Sequence, residues 1–209
     1  MFFLVVVPAL AFCIGTRYQE VKDLNAIAIS EQKIDPTANN KNNEPEDVTS
    51  VAKSILVALK NKDYSALENL TSSQGLSWNE YPSLDLSKND IVKAEISNIP
   101  TNSQKYLFGY TDGKGDPIHL TISEYLNKWI YNKDYLNADE VAVNKMLDGG
   151  TNNLNTIIKD AGNRIVVAFH FKGFDQKYEG MDWTTLYLVF DLENGKYKLR
   201  GIAKNNWTI

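Results

Sequence analysis

Two imidazoles and one run of carboxylates are the side chains in this sequence best suited to proton transfer. His119 and His170 are its only histidines, and histidine is the commonest acid or base near neutral pH. His170 alternates with Val166 and Ala168 on one face of a β-rich run, while Val167, Phe169 and Phe171 take the other. Small or polar side chains opposite large apolar ones predict a sheet with a core side and a cavity side. A carboxylate shortly downstream, Asp175 or Asp182, could orient the His170 ring and complete a proton-transfer dyad. The competing reading is a hydrogen-bonded histidine on a half-exposed strand, and His119, between Ile118 and Leu120, invites the same one.

The segment DQKYEGMDW, 175–183, gathers Asp175, Glu179 and Asp182 beside Tyr178 and Trp183. Converging groups of this kind form acid/base pairs or oxygen-ligand cation sites, but the spacing matches no metal loop and Gly180 suggests a turn. A structural loop is one reading; the other is a ligand rim on which Tyr178, Trp183 and Tyr187 would stack a flat ligand such as a sugar. Asp112-Gly113-Lys114-Gly115-Asp116 lacks the alternating oxygen ligands and distal Glu of an EF-hand and reads as a hairpin turn. Trp78, Trp129, Trp183 and Trp207, with 11 tyrosines, supply aromatic surface for a core or for a ligand. Walker, GxGxxG, GxSxG, HExxH and CxxC signatures are absent. No metal and no cofactor is predicted.

These residues need a scaffold. Val48, Val51, Ala52, Ile55, Ala58 and Leu59 recur at three- and four-residue spacing and predict one face of a helix, opened by Glu44, Glu46 and Asp47 with Pro45. Asp63 predicts the cap of a second helix carrying Ala66, Leu67 and Leu70. Further starts are predicted at Ser87, with Asp90 three places on, and at the Thr121/Glu124 capping box, which turns Tyr125, Trp129 and Ile122 inward. Three strands follow, 164–171, 183–192 and 197–204, the last two joined through Asn194-Gly195. Helices first and an antiparallel meander last predict an α+β domain.

The chain carries 22 basic and 26 acidic residues, for a net charge of −4, with no basic block. That excludes nucleic acid, or an anionic membrane, as a partner recognised by charge. Phe2 to Ile14 is free of charge and shorter than the roughly 20 residues of a membrane span, which predicts an export signal over 1–15. Two fates stay open: cleavage after Ala9-Leu10-Ala11 to give a secreted product, or lipid anchoring at Cys13, the single cysteine, in the cell envelope. Phe12 departs from the small residue that precedes a lipoprotein cysteine. Residues 16–47, with EQKIDPTANNKNNEPED at 31–47, predict a polar flexible tether, leaving 48–209 as a single α+β domain.

The run ALKNKDYSALENL, 58–70, resembles the opening helices of NTF2-like domains. The C-terminal GFDQKYEGMDWTTLYLVFDLENGKYKLRGIAKNNWTI and the middle GDPIHLTISEYLNKWIYNKDY resemble an uncharacterised family of exported bacterial proteins and lipoproteins. That second resemblance implies no activity. Its members often carry a histidine just before the terminal WTI, where this chain has Lys204-Asn205-Asn206, so no imidazole can do essential chemistry at that point. The first implies helices closing one side of a bent sheet around a pocket, a fold that hosts isomerases, dehydratases and ligand binders alike. The expectation is therefore an envelope protein binding a small ligand or a protein partner. The alternatives are an enzyme using His170 with Asp175 or Asp182, and an accessory domain for an envelope partner.

Overall fold

The computed structural model describes residues 47–79, 81–87, 89–111, 114–147 and 156–207. The predicted leader, Cys13 and the tether as far as residue 46 lie outside the described residues, as do Asp112 and Gly113.

Helix α1 (Val48–Asn61) starts where the Asp47 carboxylate accepts the N–H groups of Thr49 (3.1 Å) and Ser50 (3.3 Å), donors that the helix itself cannot pair. It stops at Lys62, in the left-handed conformation (φ 55°). Asp63 then caps α2 (Tyr64–Leu70) through the Ala66 N–H at 2.9 Å. Val51, Ala52, Ile55, Leu56, Ala58 and Leu59 are buried, the predicted stripe with Leu56 added and Val48 only half-buried.

The strands are β1 (Ser77–Asn79), β2 (Tyr106–Tyr110), β3 (Pro117–Leu120), β4 (Glu140–Val143), β5 (Ile165–Phe171), β6 (Thr184–Glu193) and β7 (Lys196–Asn206). Five of them form one sheet in the order β1-β7-β6-β5-β4, while β2 and β3 make a separate hairpin. β1 runs parallel to β7, and the other neighbours are antiparallel. The fold is therefore α+β. The three predicted strands are β5, β6 and β7, and Asn194 (φ 51°) and Gly195 (φ 76°) turn β6 into β7 with the two positive φ angles of a type I′ hairpin.

Both faces of the sheet are covered. Val167, Phe169, Leu186, Leu188, Phe190, Leu199 and Ile202 pack with α1 and α2 in the larger core. On the opposite face Val166, Ala168, Tyr187, Val189 and Ala203 lie under Leu84, Leu147 and the short helix α4 (Ile157–Ala161). This is the His170 face, on which the sequence predicts a cavity; the structure gives it a second apolar cluster instead. The segments that cover it are irregular and carry no periodic signal. Gly201 lets one of them pass close, since a Cβ there would lie 2.8 Å from Leu84 Cδ1 and 3.0 Å from Leu86 Cδ2.

Helix α3 (Ile122–Tyr125) opens with the predicted capping box: Thr121 Oγ1 accepts the Glu124 N–H at 3.2 Å, and Glu124 Oε2 accepts the Thr121 N–H at 2.8 Å. It widens into a π-helical turn, Leu126–Ile130, closed by the Tyr131 N–H on Leu126 O at 2.7 Å. The helix predicted to start at Ser87 does not form there. The Asp85 carboxylate takes the Ser87 N–H at 3.0 Å, and this local bond competes with helix. The helical segment comes later, as a 3-10 turn at Lys93–Asn98.

Candidate functional site

His170, the Asp175/Asp182 loop and His119 are held by different partners. His170 is 7% exposed on β5, and its Nδ1 lies 2.7 Å from Thr185 Oγ1. The Thr185 hydroxyl gives its single proton to Leu147 O, also at 2.7 Å. A carbonyl cannot donate, so Thr185 accepts from His170, and the imidazole carries a proton on Nδ1. The Tyr187 hydroxyl donates to the same Leu147 oxygen (2.6 Å) and accepts the Leu147 N–H (3.2 Å). The network clamps the backbone at Leu147 onto the sheet. His170 is also the second member of a cross-strand row, Glu140–His170–Thr185–Asn205, and its ring is tilted against Trp183 at 6.0 Å between centroids.

Asp175 and Asp182 build the loop after β5. Asp175 accepts the Lys177 N–H at 3.0 Å and pairs with Lys177 Nζ at 3.0 Å, while Asp182 accepts the Asp175 N–H at 2.9 Å. Burial acts to raise the Asp182 carboxyl, and the backbone N–H groups of Phe174, Asp175 and Asp182 outweigh it, holding the pKa below the usual carboxylate value. These backbone bonds fasten the loop. The predicted stacking residues also separate. Trp183 and Tyr187 are buried, at 4% and 0%, and Tyr178 is 46% exposed beneath Lys177 Nζ. His119 sits exposed on β3, opposite Leu107.

Removing the Tyr187 hydroxyl tests the clamp. Tyr187→Phe leaves the buried Leu147 N–H without its acceptor, and we expect a loss of about 1–3 kcal/mol, read as a lower urea midpoint with an unchanged slope. An unchanged midpoint would show that the clamp does not hold the sheet cover.

An open cleft of about 690 Å³ lies elsewhere, on the helix side of the sheet at the β1 edge. Trp78, on β1, forms part of its floor, and the Trp78 N–H leaves the sheet to reach Asp90 Oδ2 at 2.8 Å. Leu76 and Ile91 exchange two backbone bonds of 3.0 and 3.2 Å, which fixes the 90–98 segment beside β1. Ile96 and Ile99 anchor that segment in the core, and Glu68 of α2 holds it by accepting the Ser97 N–H. The far wall is the β2–β3 hairpin, docked by Phe108 stacking on Tyr125 of α3 at 3.9 Å and 6°. Tyr125 also meets Trp78 at 6.5 Å, and Tyr106 meets Phe108 edge-on at 6.3 Å.

The rim of this aromatic trough is polar. Asn79, Asp90, Glu95, Asn98, Thr101, Asn102 and Gln104 line it together with the rings. Asn79 is engaged by Ser83 and Tyr81, and Asn102 by Tyr106 and Gln104. Among the described residues no protein hydrogen bond engages the side chains of Glu95, Asn98 or Gln104, all exposed, so their polar atoms are available to a ligand. Of the lining residues the sequence singles out Trp78, Asp90, Ile122 and Tyr125, and it assigns none of them to a site. The clustered aromatics of Tyr106-Leu107-Phe108 were the signal that could have drawn attention to the hairpin. No family model, curated protein or solved structure matches the chain.

Proposed function

We propose that this chain is an exported or lipid-anchored envelope protein whose folded domain is NTF2-like and binds a small ligand without transforming it. The observation that carries the binding reading is the 690 Å³ cleft, with aromatic rings for a floor and amides and carboxylates for a rim. Ligand sites are concave and set with convergent polar groups, and this one is more polar than most. The NTF2-like reading is supported by two helices packed on one face of a sheet that ends in a long antiparallel meander, with the cleft on the helix side. Export rests on the apolar stretch before Cys13 and the polar stretch after it.

The enzyme alternative keeps one observation in its favour. Trp183 Nε1 and both amide atoms of Asn205 are buried near His170 without hydrogen-bond partners, and such atoms call for an explanation. The accessory-domain alternative is favoured by Phe174, Tyr178 and Met181, each 46–47% exposed on the 172–182 loop.

Ligand-observed NMR with a mixture of oligosaccharides, nucleosides and aromatic acids tests the binding reading. At least one class is expected to bind saturably, and Asn98→Ala and Gln104→Ala are expected to weaken it about tenfold each with stability unchanged within about 0.5 kcal/mol. Binding that ignores both substitutions would remove the cleft as the site.

A further inference from the structure

The ligand class can be narrowed by what lines the cleft and what does not. We infer that the cleft, if it is the binding site proposed above, takes an oligosaccharide that is neutral or carries amines, and rejects acidic glycans and phosphorylated ligands. Among the described residues the lining includes Asp90 and Glu95 and no Lys, Arg or His.

Charge excludes first. An anion entering the cleft would lose water and meet two carboxylates with no lining cation to offset them. The buried Arg200 is close enough to Asp90 to interact electrostatically. Its nitrogens, however, donate to Gly75 O, Ser77 Oγ and Leu86 O, and it is not among the lining residues. Arg200 holds the wall and offers nothing to a ligand.

Hydrogen-bonding capacity narrows the class further. Asn98 and Gln104 offer a donor and an acceptor each, and Glu95 offers acceptors only. A ligand that donates and accepts around its perimeter matches this set, as the hydroxyls of a pyranose do. A mainly apolar ligand would match the floor alone and give the rim amides no partner. The floor suits the same class: Tyr106 and Phe108 are half-buried, so part of each ring remains to cover the C–H face of a sugar. The volume lies within the range for small-ligand pockets and exceeds what one pyranose ring fills. That is the reason for an oligosaccharide over a monosaccharide.

Three trimers of similar shape and different charge form the test, titrated into the purified chain by calorimetry in low and high salt: N-acetylated chitotriose (neutral), its de-N-acetylated form (cationic) and a uronic acid trimer (anionic). Adenosine and an indole acid serve as flat non-sugar probes. The neutral trimer is expected to bind. The cationic one is expected to bind about five- to tenfold tighter in low salt, with the advantage lost in high salt, and the anionic one at least tenfold more weakly than the neutral. Glu95→Gln is expected to erase most of the amine preference, so that the cationic and neutral trimers bind about equally in low salt. Equal or better binding of the anionic trimer would overturn the inference. So would binding of adenosine or the indole acid alone, although cleft binding as such would then stand. Failure of every probe would count against both.

Discussion

Arg200→Ala is expected to lower the unfolding free energy by about 3–5 kcal/mol and to abolish ligand binding at the cleft. Arg200 is 2% exposed on β7. It sits where Phe190 pairs with Leu199 but Val189 pairs with Gly201, so it is the extra residue of a bulge, a device that re-aims a side chain. The bulge sends the guanidinium across to Ser77 Oγ (3.1 Å), Gly75 O (3.4 Å) and Leu86 O (2.9 Å). Burial lowers the guanidinium pKa, and the Asp191 carboxylate acts in the opposite direction. Alanine would leave those oxygens buried beside a void. β1 is three residues long, with one neighbour in the sheet, so it depends on this tether, and Trp78 on β1 is part of the cleft floor. Urea unfolding of Arg200→Ala and Arg200→Met separates lost hydrogen bonds from lost volume, because methionine keeps most of the stem. A loss below about 1 kcal/mol in both variants would contradict the account.

The second large effect is expected at Tyr125. The side chain is 1% exposed, lies flat on Phe108 at 3.9 Å and meets Trp78 at 6.5 Å. Tyr125→Ala removes a buried aromatic ring and should cost about 3–5 kcal/mol. The consequence should be local as well as global. The β2–β3 hairpin is not hydrogen-bonded into the main sheet, and the Phe108–Tyr125 stack is a main contact that docks it, beside Tyr106 and Leu120 on the same core. Hydrogen exchange at the β2 and β3 amides should therefore accelerate more in Tyr125→Ala than at β6 and β7. Tyr125→Phe keeps the ring and should retain most of the stability. Uniform acceleration across all strands would show that the hairpin does not rely on the stack.

What the sequence made legible follows from how local each signal is. Asp47, Asp63 and the Thr121/Glu124 pair are caps whose partners lie within three residues. Strands β6 and β7 are long enough, at 10 and 11 residues, for alternation to stand out, and Asn194-Gly195 specifies their turn. β1 and β4, at three and four residues, are too short to show a period.

The site was harder to read because register and tertiary docking build it. The sequence suggested the carboxylates nearest to His170 along the chain, whereas strand pairing brings Thr185, fifteen positions away, to its ring. The cleft draws on β1, the 90–104 segment, the hairpin and α3. Its polar residues, irregularly spaced over 90–104, read as loop until Leu76, Glu68 and Ile96 are seen to hold that loop beside the aromatics.

On the proposed function the ligand is met at the β1-edge cleft and not on the His170 face. Amide and indole NMR shifts during titration with N-acetylated chitotriose test it most directly. The account predicts shifts concentrated at Trp78, Glu95, Asn98 and Gln104 to Phe108, with His170, Thr185 and Leu147 unmoved. Shifts centred on His170, Thr185 and Asn205 would contradict it and favour the enzyme reading.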